Sequence, residues 1–129
     1  MKGYKSKIIG MEKFSQFFLD KCMNYAVRIV NLYNYLRDKK HVTVISKQLL
    51  RSGTSIGANY AEATNAISHA DFTAKSSIAL KEATESLYWI ELLHKTSYLS
   101  DQQYTSIKQD SKELISILTS SLKKLKGDD

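Results

Sequence analysis

The apolar residues recur at helical spacing along nearly the whole chain. Phe14, Phe18, Cys22, Tyr25, Ile29, Leu32 and Leu36 step by three and four, one stripe of a helix with a period near 3.6. A second stripe, Leu19, Met23, Ala26, Val30 and Tyr33, lies beside it and is expected to widen the buried face. The next segment carries Ile45, Leu49, Ser52, Ile56, Asn59 and Ala63, a seam that mixes large residues with small and polar ones. A third has Phe72, Ser76, Ala79, Ala83, Ser86 or Leu87, and Ile90; a fourth has Tyr104, Ile107, Ser111, Leu114, Leu118 and Leu125. Ser68 with Asp71, and Ser100 with Gln103, have the spacing of capping boxes and mark two helix starts. The pattern predicts helices over about 12–38, 43–66, 68–95 and 100–126, in one domain spanning 1–129. Short links force antiparallel neighbours, so the expected fold is all-α, an up-down-up-down four-helix bundle.

Two features exceed what one bundle needs. Gly53 and Gly57 lie four apart in the middle of the second helix, where each costs about 1 kcal/mol against alanine. Close approach of a neighbouring helix would account for them, with Ser52, Ser55 and Ala58 extending the narrow surface. Leu87, Tyr88, Trp89, Ile90, Leu92 and Leu93 make the end of the third helix apolar around almost its whole circumference. A bundle buries one stripe of each helix. Leu87, Tyr88, Trp89 and Leu92 are therefore the expected contacts to sister copies.

Composition narrows the class. There are 129 residues with 43% hydrophobic and 25% charged, no proline and 5 glycines, which excludes a Pro-rich linker, a sandwich or a barrel. A single cysteine excludes an internal disulfide framework and suggests a reducing compartment. The longest apolar run, Leu87–Ile90, is far short of the ~18 residues of a membrane span. The basic start lacks the apolar stretch of a signal peptide, so a cytoplasmic location is expected.

The net charge of +6 lies entirely in the first third: residues 1–40 hold nine Lys/Arg against three Asp/Glu, and the remainder is balanced. Lys2, Lys5, Lys7, Arg37, Lys39 and Lys40 supply most of it, and Lys123, Lys124 and Lys126 form a further cluster. These are the candidate contacts to an RNA phosphate backbone, a sequence-tolerant mode of binding. The alternative is a purely structural or protein-binding assembly whose lysines serve solubility.

Catalytic chemistry finds little support. The Gly53–Gly57 segment has neither the spacing nor the lysine of a phosphate loop. Glu91 and His94 form one Glu-x-x-His unit, but a di-iron bundle needs two, plus a glutamate from each other helix. Cys22 falls on the packed stripe, where a thiol is inert. No catalytic residue, cofactor or metal site is expected. Arg51, Ser55, Asn59 and Glu62, at spacings of four, four and three, are expected to form a structural polar network with Glu82 and Glu85 across the seam.

The stretch Ser46–Ala63 closely resembles the signature of the four-helix-bundle proteins encoded in intervening sequences of bacterial 23S ribosomal RNA genes. The matching positions are Gln48, Leu49, Arg51, Ser52, Ser55, Ile56, Asn59, Ala61 and Glu62, followed by Ile78–Ala83, Glu85, Tyr88, Trp89, Leu92 and Leu93. The likeness covers about residues 12–122; Tyr60, where many members are aliphatic, and Gly57 depart from it. It implies an antiparallel bundle assembled as a ring, typically a homopentamer. By analogy with the related accessory protein of diversity-generating retroelements, it also implies a partner that is RNA or a nucleic-acid-binding protein. The family's biochemical function is undetermined, so the resemblance carries fold and assembly rather than activity.

Overall fold

The computed structural model describes residues 2–127, with side chains from Glu12 onward. The chain is an all-α four-helix bundle: α1 (Lys2–Asp38), α2 (Val44–Ala63), α3 (His69–Lys95) and α4 (Asp101–Leu125). α1 begins well before the expected residue 12. Nothing between Lys2 and Met11 breaks a helix except Gly3 and Gly10, and a helix tolerates an isolated glycine at about 1 kcal/mol.

The helix ends follow local chemistry. The Ser68 hydroxyl accepts the Asp71 amide at the start of α3. At α4, Ser100 and Gln103 satisfy each other's backbone amides in a reciprocal capping box. α3 ends in a Schellman turn. The Tyr98 amide donates to the Leu93 carbonyl and the Ser97 amide to that of His94, with Ser97 in the left-handed region at φ 69°.

The core is built from Phe18, Cys22, Tyr25, Ile29 and Leu36 of α1, Leu49 and Ile56 of α2, Ala79, Ala83, Ile90 and Leu93 of α3, and Ile107, Leu114 and Leu118 of α4. α2 and α3 pack most extensively, and α1 and α4 least. The two mid-helix glycines of α2 lie against α1. A Cβ on Gly53 would stand 2.8 Å from Ile29 Cγ1, and one on Gly57 would stand 3.0 Å from Cys22 Cβ. The first is closer than real side chains come and the second is at the tight edge of ordinary contact, so glycine sets the distance between the two helices. The narrow surface does not include all the expected residues: Ser52 is buried, but Ser55 is half-buried and Ala58 faces solvent.

One expectation holds only in part on α1. Of its second apolar stripe, Leu19 packs against the core and Ala26 and Tyr33 are half-buried, but Met23 is 65% and Val30 40% exposed, with Val27 beside them at 52%. In a bundle of four, α1 touches α2 on one side and α4 on the other, and the outward arc carrying Met23, Val27 and Val30 meets neither.

Candidate interaction surfaces

The basic residues fall into two groups. Arg37, Lys39 and Lys40 are exposed at the α1–α2 connection. Arg37 is already engaged there. Its Nε and Nη2 donate to Asp38 Oδ1 and Oδ2 at 2.7 and 3.0 Å, and its guanidinium lies 5.2 Å from the Tyr33 ring centre. The bonds from Arg37 hold the Asp38 carboxyl below its ordinary range and raise the guanidinium further. Lys40 borders a cavity shared with Tyr98 of the α3–α4 connection and Asp101 at the start of α4. Lys123, Lys124 and Lys126 are exposed at the end of α4, and Lys124 borders a cavity together with Phe14 and Ser15 of α1. The side chains of Lys2, Lys5 and Lys7 lie outside the described residues.

The expected polar network divides. Arg51 bridges from α2 to α3, with Nη1 3.3 Å from Glu82 Oε2 and Nη2 paired with Glu85. Attraction to Glu82 first and Glu85 second raises the Arg51 pKa. The Arg51 side chain is half exposed, so this is a surface bridge rather than a buried one. Ser55 and Asn59 do not bond across the seam. The Ser55 hydroxyl donates to the Arg51 carbonyl at 2.5 Å and the Asn59 amide to the Ser55 carbonyl at 2.8 Å, both within α2. Short polar side chains on a helix reach the carbonyl four residues back more easily than a neighbour. Glu62 stands apart and meets Lys75 at 3.5 Å on the exposed edge.

The network extends toward the aromatic end of α3, because the Trp89 indole donates to Glu85 Oε2 at 3.3 Å. Leu87, Trp89 and Leu92 are half-buried, and Tyr88 is 61% exposed with its ring edge-to-face against Trp89 at 5.1 Å. His94 binds Asp101 at 2.7 Å and stacks on Tyr104 at 3.9 Å. Among the described residues, no group of three or more His, Cys, Asp or Glu side chains converges as metal ligands. Burial pushes the Cys22 thiol up to about 12.

Sequence reasoning missed a buried hydroxyl cluster that ties three helices together. The Tyr25 hydroxyl lies 2.9 Å from Ser86 Oγ of α3 and 2.7 Å from Ser111 Oγ of α4. The signal was present as serines at seam positions of both helices, but their meeting point depends on register.

Comparison with known proteins agrees with this architecture. Residues 17–120 match the family described as 23S rRNA-intervening sequence protein. A crystal structure from Bacteroides thetaiotaomicron, described as a protein with unknown function from the S23 ribosomal protein family, is 52% identical. It covers 84% of this chain and 97% of its own, with a TM-score of 0.83. No curated protein matches. The matched span takes in the seams of all four helices and the Arg51–Glu82–Glu85 bridge, and the chain belongs to the 23S rRNA-intervening sequence protein family.

Proposed function

We propose that the chain is a non-enzymatic, homo-oligomeric interaction module that holds the phosphate backbone of RNA, alone or within a nucleoprotein. In this reading the helices alternate in direction. Support comes from facing pairs whose numbers run in opposite order: Cys22 with Gly57 and Ile29 with Gly53, Lys21 with Glu113 and Arg28 with Asp110. Copies assemble as a ring, a pentamer by family likeness, through Leu87, Tyr88, Trp89 and Leu92 of α3. The exposed apolar arc of Met23, Val27 and Val30 adds surface that a single bundle leaves uncovered.

The observation that carries the reading is the cluster of exposed lysines at the end of α4, where Lys124 borders a cavity with Phe14 and Ser15 of α1; the charge excess of residues 1–40 is divided between the two ends of that helix. A ring repeats this cluster around its axis, and repetition multiplies weak contacts through avidity. The protein is taken to act in the cytoplasm.

Titration of a fluorescent single-stranded RNA over a salt series tests the reading. Log affinity should fall linearly with log salt, by about 0.7 for each phosphate neutralised. Lys123→Glu with Lys126→Glu should shallow the slope, and sedimentation of the same samples should give a defined oligomer. No RNA affinity at low salt, or affinity indifferent to salt, would leave the protein-binding assembly. That second reading is favoured by Arg37, whose charge is already matched by Asp38.

A further inference from the structure

We propose that the cavity between the start of α1 and the end of α4 is a binding site for a long-chain carboxylate. Its volume is about 850 Å³, within the range of small-molecule sites. It opens where the least-packed pair of helices, α1 and α4, leaves the core uncovered. Phe14 belongs to the core stripe of α1 by spacing, yet stands 40% exposed and lines this cavity.

The walls and rim differ in chemistry. Phe14, Tyr60, Phe72 and Ile117 form apolar walls from all four helices, and Tyr60 and Phe72 meet edge-to-face at 6.0 Å. The rim carries Lys124 and hydroxyls such as Ser120. Among the described lining residues there is no acidic side chain. Lys123 and Lys126 flank Lys124 and add to the positive potential.

The last carbonyls of α4 would normally repel an anion there. His69, at the first turn of α3, lies with Nε2 2.9 Å from the Leu125 carbonyl and occupies one of them. An apolar trough with cations at one edge matches an aliphatic chain with an anionic head. A nucleotide, with polar edges along its whole length, would leave its donors and acceptors unpaired against the walls. The inference shares Lys124 with the RNA reading but not the apolar walls: the tryptophan variants and the dodecanol comparison separate a failure of this proposal from a failure of RNA binding.

Calorimetric titration of the full chain with dodecanoate, below its micelle concentration, is the test. We expect one dodecanoate per chain. Lys124→Glu should weaken binding about tenfold, the loss of one charge-assisted contact. Ser120→Trp should fill the trough and abolish binding with helicity and melting unchanged, and Ser116→Trp serves the same purpose should that variant misfold. Lys47→Glu, on the exposed face of α2, should bind as the parent does. Dodecanol should bind at least tenfold more weakly than dodecanoate.

Absence of binding at about 1 mM ligand, the weak end of specific affinity, overturns the proposal. So does equal binding of dodecanol, or binding indifferent to both tryptophan variants. A change of subunit count in Ser120→Trp, read by sedimentation, overturns it in favour of a second copy seated in the trough.

Discussion

Tyr25 of α1 holds Ser111 of α4 at 2.7 Å in the middle of the bundle, while the other polar links between the two helices, Lys21 with Glu113 and Arg28 with Asp110, lie nearer the surface. The same hydroxyl reaches Ser86 of α3, so one atom links three helices. Both serines also face carbonyls of their own helices: Ser86 Oγ lies 2.9 Å from the Ala83 oxygen and Ser111 Oγ 3.0 Å from the Ile107 oxygen. Three hydroxyl protons therefore serve four contacts. The tyrosine donates to one serine, and the other serine must choose between the tyrosine and its own carbonyl.

That sharing sets the cost of Tyr25→Phe. Removing a buried partner costs most when it strands a polar group, about 1–3 kcal/mol. Here each serine can turn to its own carbonyl, so the loss should sit at the lower end, about 1 kcal/mol. Urea unfolding should show a lower midpoint with an unchanged slope. Tyr25→Phe combined with Ser111→Ala should cost less than the two separate losses added, since they share one bond.

Gly53 against Ile29 gives a second prediction, with its sign decided by packing. Alanine would favour the helix by about 1 kcal/mol. Its Cβ would also lie 2.8 and 2.9 Å from the two γ carbons of Ile29, which is fully buried and stiff at χ1. Overpacking of this kind costs about 1–3 kcal/mol, so Gly53→Ala should destabilise. In an Ile29→Ala background the two γ contacts are gone and only the 3.3 Å approach to the Cβ remains, so the same substitution should become near neutral or stabilising. A double-mutant cycle by denaturant unfolding measures the difference.

Ser97 supplies a stabilising change. It occupies the left-handed position of the Schellman turn after α3, at φ 69°, where a side chain costs about 1–2 kcal/mol. Ser97→Gly removes that strain but adds backbone freedom to the unfolded chain, so the net gain should be about 0.5 kcal/mol. Thermal melting should rise by a few degrees, and the turn's hydrogen bonds should remain protected from exchange.

These relationships divide what the sequence discloses from what it hides. Gly53 and Gly57 were readable because a mid-helix glycine costs free energy and demands a neighbour. Ser100 and Gln103 were readable because a cap is local. The outward turn of Met23 and Val30 was not, since periodicity gives the direction of an apolar arc but not the span that neighbours cover. Ser55 and Asn59 were misjudged because their own helix competes for their hydrogen bonds. The Tyr25 cluster and the cavity beside Lys124 draw on three and four helices and leave no pattern within any one segment.

The Cys22 thiol makes stability fall at alkaline pH. Burial raises it from an ordinary 9.0 to about 12 in the folded chain. The folded state thus holds the proton after the unfolded chain has released it. Stability from this site is complete below pH 9 and is lost as pH rises from 9 toward 12, at up to about 1.4 kcal/mol per pH unit. Burial also raises Tyr25, whose loss begins near pH 10. Denaturant unfolding between pH 8 and 10 should show a declining stability in the parent chain and a flatter one in Cys22→Ala, before the tyrosine contributes.

Arg51 tests whether the bridge between α2 and α3 acts on stability or on surface shape. Its side chain is half exposed, and exposed pairs contribute little, so Arg51→Ala should move the melting temperature by no more than about 2 °C. Its larger effect should lie in Glu85, which accepts from both Arg51 and the Trp89 indole. Without the guanidinium, that carboxylate is free to turn toward water and release the indole beside exposed Tyr88. Trp89 emission should shift to the red, and more so in Glu85→Ala, which removes the acceptor outright. If Trp89 and Tyr88 lie between sister copies, both variants should also weaken the oligomer in sedimentation at low protein concentration. A wild-type emission spectrum in Glu85→Ala would mean that packing alone orients the indole, and that the ion pair carries no information to that surface.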